Sequence, residues 1–297
     1  MAARVVPTVV TVGYASLDHA MRIDEFRGAE ATTHIRQRLS EPWPSPGGVA
    51  HLARAAAATG TARVAAISWL AADELGRRWL DRLAAEGVDT AGVRTGGSVS
   101  PHAYLLYEPS GRSYCLYAKG DAVVDDLDER QLGMVVDASW VLLAASPSGV
   151  SRAVVAAPRT GQLAWAVKHD ADALPPDVVR ALLGASSLVT FSEGEERLLR
   201  SSVPGGRYES FCRTDALLVR TRGARGLDYR LAGAAPVAVA ADEVRARDTT
   251  GAGDTFAGTL VALLAASGTG AVTDVVHNAV HDAVRTAMSA AAAHAAR

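Results

Sequence analysis

An aspartate that follows two closely spaced glycines, in the run Gly251-Ala252-Gly253-Asp254, is the part of this sequence best suited to chemistry. Apolar helix formers follow from Thr255 on, so the run predicts a glycine loop that opens a helix. The first N–H groups of a helix lack partners within it and carry partial positive charge, which favours an anion such as phosphate. The residues alone support two roles for Asp254 equally: a helix cap, or a base that deprotonates an attacking hydroxyl group.

The residues around this run resemble a family signature. Asp248-Thr-Thr-Gly-Ala-Gly-Asp254-Thr-Phe-Ala-Gly258 is similar to the C-terminal signature of the ribokinase/PfkB family of sugar and nucleoside kinases. The resemblance implies that Asp254 is the catalytic base. It also implies that the backbone from Gly251 to Asp254 forms the anion hole for the transferred phosphoryl group.

Asp18 is a candidate for binding the substrate. It follows the β-branched run Thr8–Val12, which predicts a buried strand ending at Gly13. We therefore expect Asp18 in the loop at the carboxyl end of that strand, where open parallel sheets bind ligands. A turn or cap is the commoner role for an aspartate after a strand. In the resembled family, however, an aspartate at this point binds the substrate.

Gly47 and Gly48 precede an alanine-rich run, residues 49–59, that predicts a helix. Paired glycines allow the backbone to approach a ligand closely, although an ordinary flexible turn also uses them. The pair resembles the family's N-terminal Gly-Gly motif, whose backbone contacts the sugar. The family usually has asparagine four residues after the second glycine. This chain has Leu52 there, with His51 beside it as a candidate substitute.

Five residues resemble the nucleotide side of the family's site. Ser192 and Glu195 stand where the family has Asn-x-x-Glu, which implies that Glu195 supports magnesium through water and that Ser192 makes an altered contact. Without the resemblance, Glu195 is a first-turn helix charge. Thr221 and Gly223 resemble the family's Thr-x-Gly loop, which contacts ATP. Asn278 lies close to the family's adenine-side asparagine, and a surface helix position is an equal alternative.

Lys168 ends a predicted strand, residues 162–168, where the family commonly has Asp-x-Asn. A lysine at this point either neutralises a phosphate or is an ordinary surface charge, and the second role is the more common one.

Strands and helices alternate along most of the chain, which predicts a mostly parallel sheet flanked by helices on both faces. Residues 102–118 alternate around a Pro-Ser-Gly turn and predict a hairpin outside that sheet. The proline-rich residues 28–46 predict a loop. The resemblance implies a three-layer ribokinase-like α/β fold, one domain over residues 1–297. It also implies a small β lid with strands from about 15–45 and 100–119, and a homodimer paired through that lid.

Composition narrows the function classes. With 297 residues, 49% of them apolar, and a net charge of −2, the chain has ample core and no sign of a nucleic-acid or membrane surface. Cys115 and Cys212 lack metal or disulfide spacing and indicate a reducing cytoplasm. The N-terminal residues lack the apolar region of a signal peptide, and no apolar run is long enough to span a bilayer.

The resemblance therefore implies an ATP- and Mg²⁺-dependent kinase that phosphorylates a hydroxyl group of a small sugar or nucleoside. Which acceptor, which phosphate donor and whether a monovalent cation takes part stay open. A dehydrogenase would need Gly-x-Gly-x-x-Gly after the first strand, and Gly13-Tyr14-Ala15-Ser16 does not supply it. The remaining alternative is an inactive sugar- or nucleoside-binding relative with a regulatory role, which Leu52, Ser192 and Lys168 favour and the retained Asp254 opposes.

Overall fold

The computed structural model of the chain describes residues 6–231, 234–241, 250–268, 285 and 288–293. In chain order its strands are β1 (Thr8–Val12), β2 (Ala15–Ile23), β3 (Ile35–Arg38), β4 (Ser45–Gly48), β5 (Arg63–Leu70), β6 (Val88–Thr95), β7 (His102–Tyr107), β8 (Ser113–Ala118), β9 (Trp140–Leu143), β10 (Gln162–Ala166), β11 (Leu188–Ser192), β12 (Leu217–Thr221), β13 (Leu227–Leu231) and β14 (Val237–Val239). Its helices are α1 (Val49–Ala58), α2 (Glu74–Ala85), α3 (Glu129–Asp137), α4 (Ser148–Ala156), α5 (Pro176–Ala185), α6 (Glu196–Ser201) and α7 (Ala252–Ser267).

Nine strands form the main sheet, in the order β14-β13-β12-β11-β10-β9-β1-β5-β6. The strands from β12 to β6 pair in parallel, and β13 and β14 continue the sheet antiparallel at one edge. The central parallel strands β1, β9 and β10 are short apolar runs buried on both faces, as such strands must be when helices cover them.

Helices cover the main sheet on both faces and create two apolar layers. One layer buries side chains of α1, α2 and α7, including Leu52, Trp79 and Leu260, against the sheet. The other buries side chains of α3, α4, α5 and α6, among them Val150 and Leu182. The predicted three-layer α/β fold is confirmed. Among the described residues, no helix combines the length and apolar character that crossing a bilayer requires.

A separate small sheet, which we call the lid, has the strand order β3-β2-β7-β8, with β4 also paired to β2. Strands β2 and β7 are parallel and the other pairs are antiparallel. Asp18 pairs with Ala103 and Arg22 with Tyr107, so alternation along the strands places Asp18 and Tyr107 on the same face. The hairpin predicted for residues 102–118 is β7 and β8.

Two local expectations were wrong. Asp18 lies inside β2, a buried nine-residue strand, and not in a loop after β1. Residues 28–46 contain β3 and the start of β4, where a loop was predicted. Every position of β3 is exposed, so no hydrophobic alternation marks it as a strand. β2 takes extended form by pairing with β7, and β3 and β4 do so by pairing with β2. These pairings are long-range effects that local composition does not record.

Candidate active site

The candidate residues gather at the carboxyl ends of the parallel strands of the main sheet. Parallel strands end there, α1 and α7 begin there, and the lid lies against it. Open α/β sheets bind ligands at this end because loops and helix N-termini converge beyond the carboxyl ends of the strands.

Asp254 is the third residue of α7 and is 9% exposed. Gly251 is the N-cap, with the left-handed φ of 73°, and brings no side chain to cap the helix. Among the described residues no backbone N–H donates to the Asp254 carboxylate, so Asp254 does not act as a cap there. Within the described part of the chain, no group accepts a hydrogen bond from the N–H of Ala252 or Gly253. The first turn of α7 thus offers unpaired N–H groups beside a carboxylate, as an anion cradle next to a base requires.

Lys168 lies two residues past the end of β10, and its Nζ is 2.7 Å from Asp254 Oδ1. Its side chain is 38% exposed. Burial alone would lower the pKa of Lys168, but the charges of Asp254 and Glu195 outweigh it and raise that pKa. The sequence favoured an ordinary surface charge for Lys168, but Lys168 forms a partly buried ion pair with the candidate base Asp254. Its sequence signal was a lysine at the ligand-binding end of a strand.

Asp18 and His51 form a second charged pair. His51 Nε2 is 3.0 Å from Asp18 Oδ2, and Ser16 Oγ donates to Asp18 Oδ1. Asp18 is 3% exposed. Burial disfavours the charged form of His51, but the hydrogen bond and charge of Asp18, with the charge of Asp254, raise its pKa above the ordinary value. A buried carboxylate held in this way has its orientation fixed.

Gly47 and Gly48 are required by the backbone around this pair. A Cβ on Gly47 would lie 2.0 Å from the carboxyl group of Asp18. Gly48 has a φ of 63°, and a Cβ there would lie 2.2 Å from the Tyr14 carbonyl oxygen. Both glycines belong to β4, so the flexible turn is excluded as their role.

His51 also connects the two halves of the site. A Cβ on Gly251 would lie 2.8 Å from His51 Nδ1, so the imidazole ring rests against the N-cap of α7. Leu52 is fully buried in the core between helix and sheet and takes no part in the site. Of the adjacent residues His51 and Leu52, only His51 contacts Asp18 and lies against Gly251.

Ser192 and Glu195 hold each other at the end of β11. The Ser192 N–H donates to Glu195 Oε2 over 2.7 Å, and the Glu195 N–H donates to Ser192 Oγ over 3.2 Å. These two bonds fix the Glu195 carboxylate, whose Oε2 accepts from the Ser192 N–H. In the described ranges, no cluster of three or more His, Cys, Asp or Glu side chains could hold a metal ion.

Thr221 is the register partner of Ser192, because β11 and β12 are parallel neighbours. Gly223 opens the 3-10 segment Gly223–Arg225 with a φ of 57°, and a Cβ there would meet nothing within 4 Å. The structure brings Ser192, Glu195 and Thr221 together at the carboxyl ends of β11 and β12, with Gly223 in the following turn. Asn278 lies outside the described residues.

Tyr107 joins the lid to the glycine loop. Its hydroxyl group is 2.6 Å from Thr250 Oγ1. No residue pattern marked this contact, since the two partners are distant in the chain.

Comparisons with known proteins agree with this geometry. The family model described as pfkB family carbohydrate kinase matches residues 7–297. No curated protein matches the sequence significantly.

Solved ribokinase structures share the fold. Ribokinase from Giardia lamblia has a TM-score of 0.78 at 18% identity, with 99% of this chain and 94% of that chain covered. Ribokinase from Arabidopsis thaliana, solved with ribose and ATP, has a TM-score of 0.75 at 20% identity, covering 97% of this chain and 92% of that chain. An E. coli protein provisionally described as ribokinase II, solved with ATP and Mg²⁺, has a TM-score of 0.71 at 20% identity, covering 98% and 93%.

Proposed function

This chain belongs to the pfkB family of carbohydrate kinases, and from that premise we propose that it transfers the γ-phosphoryl group of ATP to a hydroxyl group of a small sugar or nucleoside. It is a phosphotransferase with an alcohol as acceptor. Two similarly folded proteins support ATP as the donor, since the Arabidopsis ribokinase was solved with ribose and ATP and the E. coli protein with ATP and Mg²⁺.

Asp254 is the general base of the proposed reaction. Its carboxylate takes the proton of the acceptor hydroxyl group as the hydroxyl oxygen forms a bond to the γ-phosphorus. The bond between that phosphorus and the β,γ-bridging oxygen breaks, and its electron pair stays on ADP. Such a transfer needs mainly positioning and charge stabilisation, because the transferred group requires little covalent help.

The N–H groups of Ala252 and Gly253 stabilise the charge on the phosphoryl oxygens. They are positioned before the reaction by the backbone of α7, and no protein group among the described residues competes for them. Preorganised donors of this kind avoid the cost of reorienting during the reaction, and losing one typically costs about 100- to 1,000-fold in rate.

Asp18 and His51 bind the acceptor. The Asp18 carboxylate accepts from acceptor hydroxyl groups, while His51 holds it in place and contacts Gly251 from the other side. The backbone of Gly47 passes beside this carboxylate, where a side chain would exclude it, and Gly48 follows it directly at the start of α1. The acceptor therefore lies next to the α7 N-terminus, within reach of Asp254.

Glu195 fits a magnesium ion bound through water. Its Oε2 already accepts from the Ser192 N–H, and a contact through water suits magnesium, which keeps several of its waters. Bound with ATP, magnesium would neutralise phosphate charge. Ser192, Thr221 and Gly223 border the space for the nucleotide.

The observation that carries this proposal is Asp254 in the first turn of α7, beside unpaired N–H groups. The test is a kinase assay over a panel of sugars and nucleosides. We expect Asp254→Asn to lower the phosphorylation rate by at least about 100-fold, as the loss of a general base does.

Asp81→Asn is the matched control, because Asp81 is exposed on α2, and it should keep normal turnover. Near-normal turnover of Asp254→Asn would refute the assignment.

The ion pair between Lys168 and Asp254 favours a second candidate, a regulatory relative that binds sugar without phosphorylating it. Lys168 Nζ holds one oxygen of the Asp254 carboxylate at 2.7 Å, so the candidate base is already engaged by a cation in this structure. Thermal shifts with sugars, combined with no product in the kinase panel, would select this second function.

A further inference from the structure

Lys168 stands at the boundary between the two halves of the site. In the main sheet, β10 lies between β9 and β1, which lead to the acceptor side, and β11 and β12, which lead to the nucleotide side. A group just beyond the end of β10 is therefore placed where the two substrates meet.

The ammonium group of Lys168 lies among acidic groups of three elements. Asp254 on α7 is in contact with it at 2.7 Å. Glu195, before α6, and Tyr107, on β7 of the lid, also act on its charge. A single cation thus connects the base, the magnesium-side carboxylate and the lid.

Lys168 gains a second negatively charged partner when the γ-phosphate of ATP binds beside the α7 N-terminus, and the proposed reaction then removes the first. When Asp254 takes a proton from the acceptor, its negative charge is lost. At the same stage, charge has to be stabilised on the phosphoryl oxygens beside the α7 N-terminus. Lysine carries its point charge on a flexible four-carbon stem, so the ammonium group can change partners without moving the backbone.

We propose that Lys168 is a further catalytic residue whose ammonium group leaves Asp254 and binds an oxygen of the γ-phosphoryl group. This inference rests on the proposed function. It assigns to Lys168 the recognition of a triphosphate over a diphosphate, since only the triphosphate carries the group at this position.

Nucleotide affinity tests the assignment without any turnover. We compare Mg²⁺ complexes of ADP and of the imido analogue of ATP by titration calorimetry, with wild type, Lys168→Met and Lys168→Arg. In Lys168→Met the analogue should bind at least about tenfold more weakly, the worth of one hydrogen bond to a charged group. The affinity for ADP should change by less than about twofold, and Lys168→Arg should retain most of the analogue's affinity.

Lys119 provides the control, because it is the only other lysine of the chain and is exposed. Lys119→Met should leave both affinities unchanged. Equal losses for ADP and the analogue in Lys168→Met, or no loss for either, would overturn the assignment.

Acetylation of wild-type protein gives a second measurement that needs no variant to fold. With only two lysines, mass spectrometry separates their rates cleanly. The ATP analogue should slow acetylation of Lys168 several-fold more than ADP does, and Lys119 should be indifferent to both. Equal protection by the two nucleotides contradicts the proposal.

The two levels of inference fail differently. A wild type that binds neither nucleotide refutes the kinase function itself. In another outcome, the wild type binds ADP and the analogue and phosphorylates an acceptor, and Lys168→Met discriminates between the two nucleotides as the wild type does. That outcome refutes only the role of Lys168.

Discussion

His51 shows how one side chain joins two functional groups. It contacts Asp18 through Nε2, and Nδ1 faces the Gly251 backbone. A neutral amide in its place could keep a hydrogen bond but would not carry the positive charge that two carboxylates favour. The contribution of this charge to stability depends on pH.

We expect His51→Gln to destabilise the protein mainly at low pH. Because the folded state raises the pKa of His51, its stabilising effect is complete below about pH 6.5, the ordinary histidine pKa, and is lost as pH rises through the folded-state pKa. Unfolding free energies from urea titrations between about pH 5.5 and 9 measure this difference.

His34→Gln is the control, since His34 is exposed and its substitution should change stability little at any pH. The difference in unfolding free energy between wild type and His51→Gln should shrink as pH rises. A difference that stays constant with pH, or grows as pH rises, would contradict the charged state of His51.

At the scale of elements, α1 and α7 place the chemistry. His51 is the third residue of α1 and Asp254 the third residue of α7, so both helices present a functional group in their first turn. Gly258 lets the helices approach closely, because a Cβ there would lie 2.3 Å from the Leu52 carbonyl oxygen. Their separation sets the distance between His51 and Asp254.

Gly258→Ala should therefore destabilise the protein, although alanine is favoured over glycine in a helix by about 1 kcal/mol. The methyl group would force the helices apart, at a cost of about 1–3 kcal/mol for overpacking. Thermal unfolding should show a lower melting temperature, and kinase turnover should fall as His51 and Asp254 separate.

Gly133→Ala makes the same exchange in α3, where a Cβ would meet nothing within 4 Å. That variant should be as stable as wild type or slightly more so. If Gly258→Ala matched it, the close approach of the helices would not limit stability.

At the scale of the whole molecule, the lid has two different faces. Asp18 and Tyr107 lie on the face toward the site, and Tyr107 holds the lid to Thr250. A lid over the site helps to exclude water, which would otherwise accept the phosphoryl group. On the opposite face, the cross-strand partners Tyr104 and Leu116 are 39% and 59% exposed.

We propose that this outer face pairs two chains into a homodimer, since exposed apolar side chains grouped on one sheet face mark a contact surface. Leu116→Glu should convert the dimer into monomers, because it would bury a charge at the interface. Sedimentation velocity at several protein concentrations measures the change. Leu132→Glu, at a 37% exposed position on α3, is the control and should leave the dimer intact. A monomeric wild type at every concentration would contradict the proposal.

Local sequence was sufficient for the glycine loop before α7 and for the strands and helices of the main sheet. The run from Gly251 to Asp254 predicted a loop opening a helix, and the described α7 begins at Ala252. Alternating strands and helices predicted the parallel sheet. The loop and the individual strands and helices depend on interactions between near neighbours in the chain, which residue order records directly.

Only the tertiary structure decided which charges meet. Lys168 faces Asp254, His51 lies between Asp18 and Gly251, and β3 and β4 pair with β2. Each of these contacts joins segments that approach only after the sheet and helices have packed. Their geometry depends on strand order and helix separation, and neither quantity is carried by the local pattern of residues.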